Sequence, residues 1–225
     1  MACVIALPTF DIPTRCATGI MLRHIVPRTE PISLIGGLAT KLPFSLALKP
    51  SDFVLTTGHG ENDIVTGHDE ETLLEVGGSE EVEGKFFKLV SCLSGEELGP
   101  DLIRRGASGF QGYTGEYLWL VDDAYIRVPW EDPYSKKALM PVVDGLNHLL
   151  DGGSNLEAYE IEVEGYKRAI EDEEDELARS FLVHNLNHFI CLGDPEARIS
   201  RRPRIRLPLA PPPFIQPIEA PYDEE

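Results

Sequence analysis

Apolar residues along this chain fall first into short runs closed by small or turn-forming residues, and later into longer helical patterns. "ACVIALPTFD" (2–11) predicts a buried strand ending in a Pro/Asp turn, because a short β-branched run closed by turn residues fits the interior of a parallel sheet. "TRCATGIMLRHIV" (14–26) follows as a crossover helix. "SDFVLTTGHG" (51–60) and "GKFFKLVSCLSG" (84–95) are two further apolar runs with glycine beside them, each ending in small residues. Between them "NDIVTGHDEETLLEV" (62–76) is acidic and weakly periodic, which predicts a hairpin or an irregular insert. "GEELGPDLIRRG" (95–106) places Leu98, Leu102 and Ile103 at helical spacing with Gly106 at the stop, so a short helix leads into another small-residue strand, "ASGFQGYTG" (107–115). Strands alternating with helices predict an α/β fold with a mostly parallel sheet covered on both faces.

From Asp132 onward the pattern lengthens. "SKKALMPVVDGLNHLL" (135–150) and the stretch 155–190 are helical in period. The second has an apolar stripe at Leu177, Phe181, Leu182, Leu186 and Phe189, and an acidic run, Glu171 to Glu176, that reads as a solvated helix face. After these come five arginines between 198 and 206 and seven prolines beyond residue 202. Proline fixes φ and removes a donor, so this segment forms neither an ordinary helix nor a central strand. The expected organisation is one domain over 1–199 and a Pro-rich C-terminal arm or disordered tail over 200–225. No internal repeat is visible.

Composition narrows the choice of partner. With 38 acidic and 20 basic side chains the net charge is −18, which argues against nucleic acid and anionic membrane, since phosphate binding runs on clustered Lys and Arg, and favours a basic ligand. Cysteines stand at 3, 16, 92 and 191 with no CxxC, so neither a disulfide framework nor a zinc module is expected, and the thiols read as reduced and cytoplasmic. The N-terminus reads as lacking a signal peptide, and no run of eighteen apolar residues suggests a membrane span.

Candidate chemistry lies at two strand ends. In an open α/β sheet ligands sit outside the carboxyl ends of the strands. One such end delivers His59 after "FVLTTG"; the other delivers Cys92 after "FFKLVS". If those strands are neighbours, a thiol and an imidazole share one cleft, the arrangement a cysteine nucleophile needs. Gly58 and Gly60 permit close backbone approach to a substrate, and the N–H groups of Gly60 and Cys92 are candidates for an oxyanion hole. Gly109, Gly112 and Gly115 with Tyr113 and Trp119 are candidates to line the pocket beside Cys92, the alternative being that the glycines serve close packing and the aromatics the core.

Four blocks in order, "TTGHG", "KLVSCLSG", "LIRRGASGFQGYTGE" and "FICLGDPEARI", resemble the caspase-like superfamily of cysteine peptidases, which includes caspases, gingipains, clostripain, separase and CHAT-domain proteins; the resemblance is nearest to the gingipain-like and CHAT members. The resemblance implies a caspase-like fold and peptide-bond hydrolysis through an acyl-enzyme without a cofactor or metal. It implies Cys92 as nucleophile, His59 as general base and acid, and the Gly60 and Cys92 N–H groups as the oxyanion hole. Its substrate would be a protein or peptide. In gingipain-like relatives a carboxylate at the rim of the first strand selects the residue before the scissile bond, which implies Asp11 in substrate binding and cleavage after Arg or Lys; Gly112 and Tyr113 join it as expected substrate contacts. Asp11 reads equally well as a turn residue or helix cap before Pro13. Arg104 and Arg105 would instead suit an acidic substrate, but read as solvent-facing helix residues. Lys136-Lys137, in a connection flanked by prolines, reads as a self-cleavage site.

Two other classes remain open on the sequence. His59, Asp63, His68 and Asp69 can be read as ligands of a metal-dependent hydrolase, since imidazole with carboxylate suits zinc or manganese, although the spacing matches no metal motif. "HNLNH" (184–188) lacks the glutamate of the zinc-peptidase motif. The other class is a non-catalytic caspase-like binding protein that keeps the scaffold.

Overall fold

Cys3–Leu7 forms a strand because five consecutive apolar residues, two of them β-branched, are buried on both faces of a sheet. This strand, β1, ends at Pro8, and the chain turns into helix α1 (Ile12–His24) through Asp11, whose side chain accepts from the Thr14 N–H in a capping box with Pro13 in the first turn. Then follow β2 (Ile32–Ile35), α2 (Lys41–Leu48), β3 (Phe53–Thr56), the hairpin β4 (Ile64–Thr66) and β5 (Thr72–Glu75), β6 (Phe86–Leu89), α3 (Leu98–Arg104), β7 (Gly109–Tyr113), α4 (Pro133–Leu150), α5 (Asn155–Glu171), α6 (Glu176–His188) and β8 (Phe189–Gly193). This is a computed structural model; it describes residues 2–27 and 30–199. The Pro-rich arm expected over 200–225 lies outside the described residues.

Six strands form one sheet in the order β2-β1-β3-β6-β7-β8, all parallel except β8, which runs antiparallel to β7. Alternation along each strand divides the core in two. Cys3, Ile5, Leu7, Phe53, Leu55, Phe86 and Val90 face α1, α4 and α5; Val4, Ala6, Val54, Phe87 and Leu89 face α2, α3 and the β4–β5 hairpin. The expected mixed α/β architecture, a mostly parallel sheet flanked by helices, is the observed one. The hairpin reading of 62–76 also matches β4–β5.

Several expectations change. The sequence pattern assigned nothing to residues 30–50, yet they hold β2 and α2, two short elements in which only Leu34 and then Phe44, Ala47 and Leu48 are buried. The stretch 155–190 is two helices and the start of a strand: the acidic run breaks the pattern, because Asp175 caps α6 by accepting from the Ala178 N–H. Glu173 in that run is buried, 3.1 Å from the Lys137 ammonium, so the run is a helix–helix corner and not a uniformly solvated face. Lys136 and Lys137 lie inside α4 and not in an extended linker, a poor geometry for self-cleavage.

Lys88 is the least expected core residue. Its ammonium is fully buried among apolar neighbours, paired with Glu162 of α5 and donating to Gln111 Oε1 at 3.1 Å. Burial pulls its pKa down, while the Glu162 carboxylate pushes it back up. Glu162 also accepts from the Tyr113 hydroxyl at 2.7 Å, and Tyr113 and Tyr166 hydroxyls meet at 3.1 Å. This polar network fixes α5 across β6 and β7, since a buried charge requires a paired, hydrogen-bonded partner.

Candidate active site

Strand order places the site. The chain moves outward from β1 to β2 on one side and from β3 to β6 on the other, so the crevice beyond the ends of β1 and β3 is the topological switch point of the sheet. Across the sheet Ala6 pairs with Thr56 and Thr56 with Leu89. His59 stands 59 − 56 = 3 residues beyond Thr56 and Cys92 stands 92 − 89 = 3 beyond Leu89, so equal overhangs from neighbouring parallel strands bring both to the same rim. They line one cavity of about 240 Å³.

The loop carrying His59 is fixed by its two glycines. A Cβ on Gly58 would lie 1.6 Å from the Thr66 carbonyl oxygen, and a Cβ on Gly60 would lie 2.5 Å from the Cys92 carbonyl oxygen. The glycines therefore admit β4 and the nucleophile turn against the histidine loop, where the sequence reading had them admitting substrate. Thr66 N–H donates to the His59 carbonyl and Glu61 N–H to the Ile64 carbonyl, which makes Gly60 and Val65 a non-hydrogen-bonded pair and leaves the Gly60 N–H outside that ladder.

The turn carrying Cys92 is bolted to the end of β7. Leu93 N–H donates to the Gly115 carbonyl and Gly95 N–H to the Tyr113 carbonyl, holding Leu93 at φ 53°, a left-handed conformation rare outside glycine. Among the described residues no other backbone group takes the Cys92 N–H. The Tyr117 N–H donates to Cys92 Sγ at 3.3 Å. Burial pushes the Cys92 thiol up, and the Tyr117 and Cys92 N–H groups offset only part of that.

His59 is held by Asp11. Its Nε2 lies 2.7 Å from Asp11 Oδ2, while Asp11 Oδ1 accepts from Thr14 N at 2.9 Å and from Thr14 Oγ1 at 2.6 Å. Burial raises the Asp11 carboxyl, but the Thr14 and His59 hydrogen bonds outweigh it and hold the group below its ordinary value. An ionised Asp11 requires the proton on Nε2, which leaves Nδ1 with the free lone pair. Asp11 is thus the cap that the alternative reading expected and also a partner of His59. Asp11 is absent from the residues that line the cavity and meets it through His59 and Thr14, which do line it.

Other expected residues are elsewhere. Tyr113 is fully buried with its hydroxyl on Glu162, and Gly112 packs against Phe110 and Ser94, where a Cβ would come within 2.6 Å; neither lines the cavity. Gly109 and Gly115 likewise serve packing, against Phe86 and His188. Trp119, a candidate named from the sequence, does line it; Tyr117, Leu118 and Val121, in the same stretch without regular secondary structure, line it too and were not anticipated, although their signal is an apolar run, "YLWLV", following the Gly-rich strand. Arg104 and Arg105 both pair with Asp101 on α3, which accounts for their charge away from the cleft. His59 and His68 each meet Phe10 edge-on, at 5.5 and 5.8 Å between centroids, and no three His, Cys, Asp or Glu side chains converge on a metal position among the described residues.

In comparison with solved structures, gingipain R, an Arg-specific cysteine proteinase, superposes with a TM-score of 0.50 at 13% identity. The complex of Porphyromonas gingivalis RgpB pro- and mature domains gives 0.54, also at 13%. The chain has a gingipain-like fold. The superpositions cover 88% of this chain but 47% and 48% of those chains, so it spans about half of their length. No protein-family model and no curated protein matches the sequence. At this identity the likeness concerns the caspase-like scaffold alone. No helix among the described residues is long and apolar enough to cross a membrane.

Proposed function

We propose that this protein is a cysteine peptidase in which Cys92 is the nucleophile, His59 the general base and acid, and Asp11 the residue that positions His59. The observation that carries this reading is the meeting, on one cavity at the switch point of the sheet, of a half-buried thiol and an imidazole whose Nε2 is held by a carboxylate. As substrate binds, His59 Nδ1 takes the thiol proton while Sγ attacks the scissile carbonyl carbon. The oxyanion forms against the N–H groups of Gly60 and Cys92. Collapse breaks the C–N bond, His59 returns the proton to the leaving amine, and a thioester remains on Cys92. Water, deprotonated by His59, then attacks the thioester and frees the acid and the thiol.

A raised thiol pKa favours this general-base route over a standing thiolate–imidazolium pair. The resemblance implied cleavage after Arg or Lys through Asp11; Asp11 stands behind His59 and Thr14 and outside the cavity lining, which weakens the support for that preference. The test is turnover of a mixed fluorogenic peptide library by the wild-type chain and by Cys92→Ala. Release of fluorophore that disappears in Cys92→Ala and survives chelator supports the reading. Turnover that persists in Cys92→Ala sinks it.

A further inference from the structure

We infer that the pocket beside Cys92 accepts an uncharged, apolar side chain before the scissile bond, a Leu- or Phe-like residue in place of the Arg or Lys that the resemblance implied; this rests on the peptidase reading above. Away from the His59–Cys92 rim, the wall is mostly apolar: α1 gives Pro13, Ala17 and the one hydroxyl of Thr14, β6 ends in Val90, and the stretch after β7 gives Tyr117, Leu118, Trp119 and Val121. Among the described residues no carboxylate and no Lys or Arg lines the cavity. A guanidinium or ammonium entering it would lose its water without gaining a counter-charge, a cost that apolar surface cannot offset. An aliphatic or aromatic side chain gains by the same transfer.

Rigid support makes the selection firm. The Tyr117 hydroxyl donates to the Ala138 carbonyl at 2.8 Å and lies 3.1 Å from the Tyr166 hydroxyl, so the ring cannot swing aside to admit water to a charged guest. Tyr117 packs against Trp119 at 5.4 Å between ring centroids, continuing the apolar wall toward the rim. The net charge of −18 acts differently: it draws cationic peptides toward the surface and raises encounter rates in low salt, but a long-range field does not replace a missing partner inside the cavity.

The experiment compares coumarin-leaving-group peptides identical except for Leu, Phe, Arg, Lys or Asp before the scissile bond, at 150 mM salt, with the full chain and with Cys92→Ala. The expected result is Cys92-dependent turnover with kcat/KM for Leu or Phe at least about tenfold above that for Arg, Lys and Asp. Val121→Asp, which places a carboxylate on the half-buried part of the wall, is expected to move the Lys-to-Leu ratio toward Lys by about tenfold or more. Cys92-dependent turnover that favours Arg or Lys in the wild-type chain overturns this inference and leaves the peptidase reading standing. Absence of turnover with all five peptides overturns both.

Discussion

The Asp11 carboxylate receives His59 Nε2 at 2.7 Å while it caps α1 through Thr14, so one side chain both starts a helix and aims the imidazole. These two duties separate by substitution. Asp11→Asn keeps a capping oxygen but no longer demands the Nε2–H tautomer, so kcat is expected to fall by tenfold or more with a smaller fall in Tm than Asp11→Ala gives. Asp11→Ala loses both duties. Loss of a cap costs about 1 kcal/mol, a fall in Tm of roughly 2–4 °C for a chain of this size. Equal activity in wild type and Asp11→Asn would remove Asp11 from the mechanism.

The same carboxyl sets a pH dependence. Because its folded pKa is below its unfolded value, the stability it contributes is present above the unfolded pKa, about 3.9, and is lost as pH falls through the lowered folded value. Urea midpoints of wild type and Asp11→Ala should therefore differ at pH 6 and converge as the solution is taken below about pH 4.

Burial raises the Cys92 thiol, so the thiolate fraction near neutrality is smaller than in an unstructured peptide. Iodoacetamide alkylation of Cys92 followed by peptide mass mapping should show a midpoint on the alkaline side of about 8.5, the value of an exposed cysteine. A midpoint near pH 6 would mean a standing ion pair and a different route to the acyl-enzyme.

Gly58 and Gly60 separate fold from site. The Gly58 Cβ would lie 1.6 Å from the Thr66 carbonyl oxygen, a backbone atom that cannot yield, so Gly58→Ala is expected to cost about 3 kcal/mol or more in urea unfolding. At Gly60 the obstacle is the Cys92 carbonyl oxygen at 2.5 Å, and the turn it pushes is the nucleophile's own. Gly60→Ala should lower kcat by more than its smaller loss of stability explains.

Lys88 and Glu162 form a buried pair whose halves are not worth the same alone and together. Removing one charge, as in Glu162→Gln, leaves an unpaired ammonium and is expected to cost about 3–5 kcal/mol. Lys88→Met with Glu162→Leu should recover much of that loss, since an apolar pair of similar volume avoids the desolvation. A double variant no more stable than Glu162→Gln would contradict this account.

What could be seen along the chain is what periodicity and turn chemistry encode locally. The runs that became β1, β3, β6 and β7 were visible because each is buried on both faces and so reads as continuous apolar sequence, and His59 and Cys92 were visible because each follows such a run directly. β2 escaped because only Leu34 of its four residues is buried, unlike the fully buried β3 and β6, and α2 because two helical turns carry too few buried positions to establish a period. Lys88 escaped for the opposite reason: inside an apolar strand a single lysine looks like an exposed interruption, and only Glu162, seventy-four residues away, makes it a core residue.

The sequence by itself determined the alternation of strands and helices and which two strand ends carry a thiol and an imidazole, because side-chain period and small-residue turns act over a few neighbouring residues. Tertiary structure alone decided that β3 lies between β1 and β6, which brings Asp11 onto His59, seats Tyr117 on Cys92 and buries Tyr113 beyond reach of the cleft. Strand order is set by how whole faces pack and by where hydrogen-bond partners far apart in the chain are satisfied, and no local pattern carries that information.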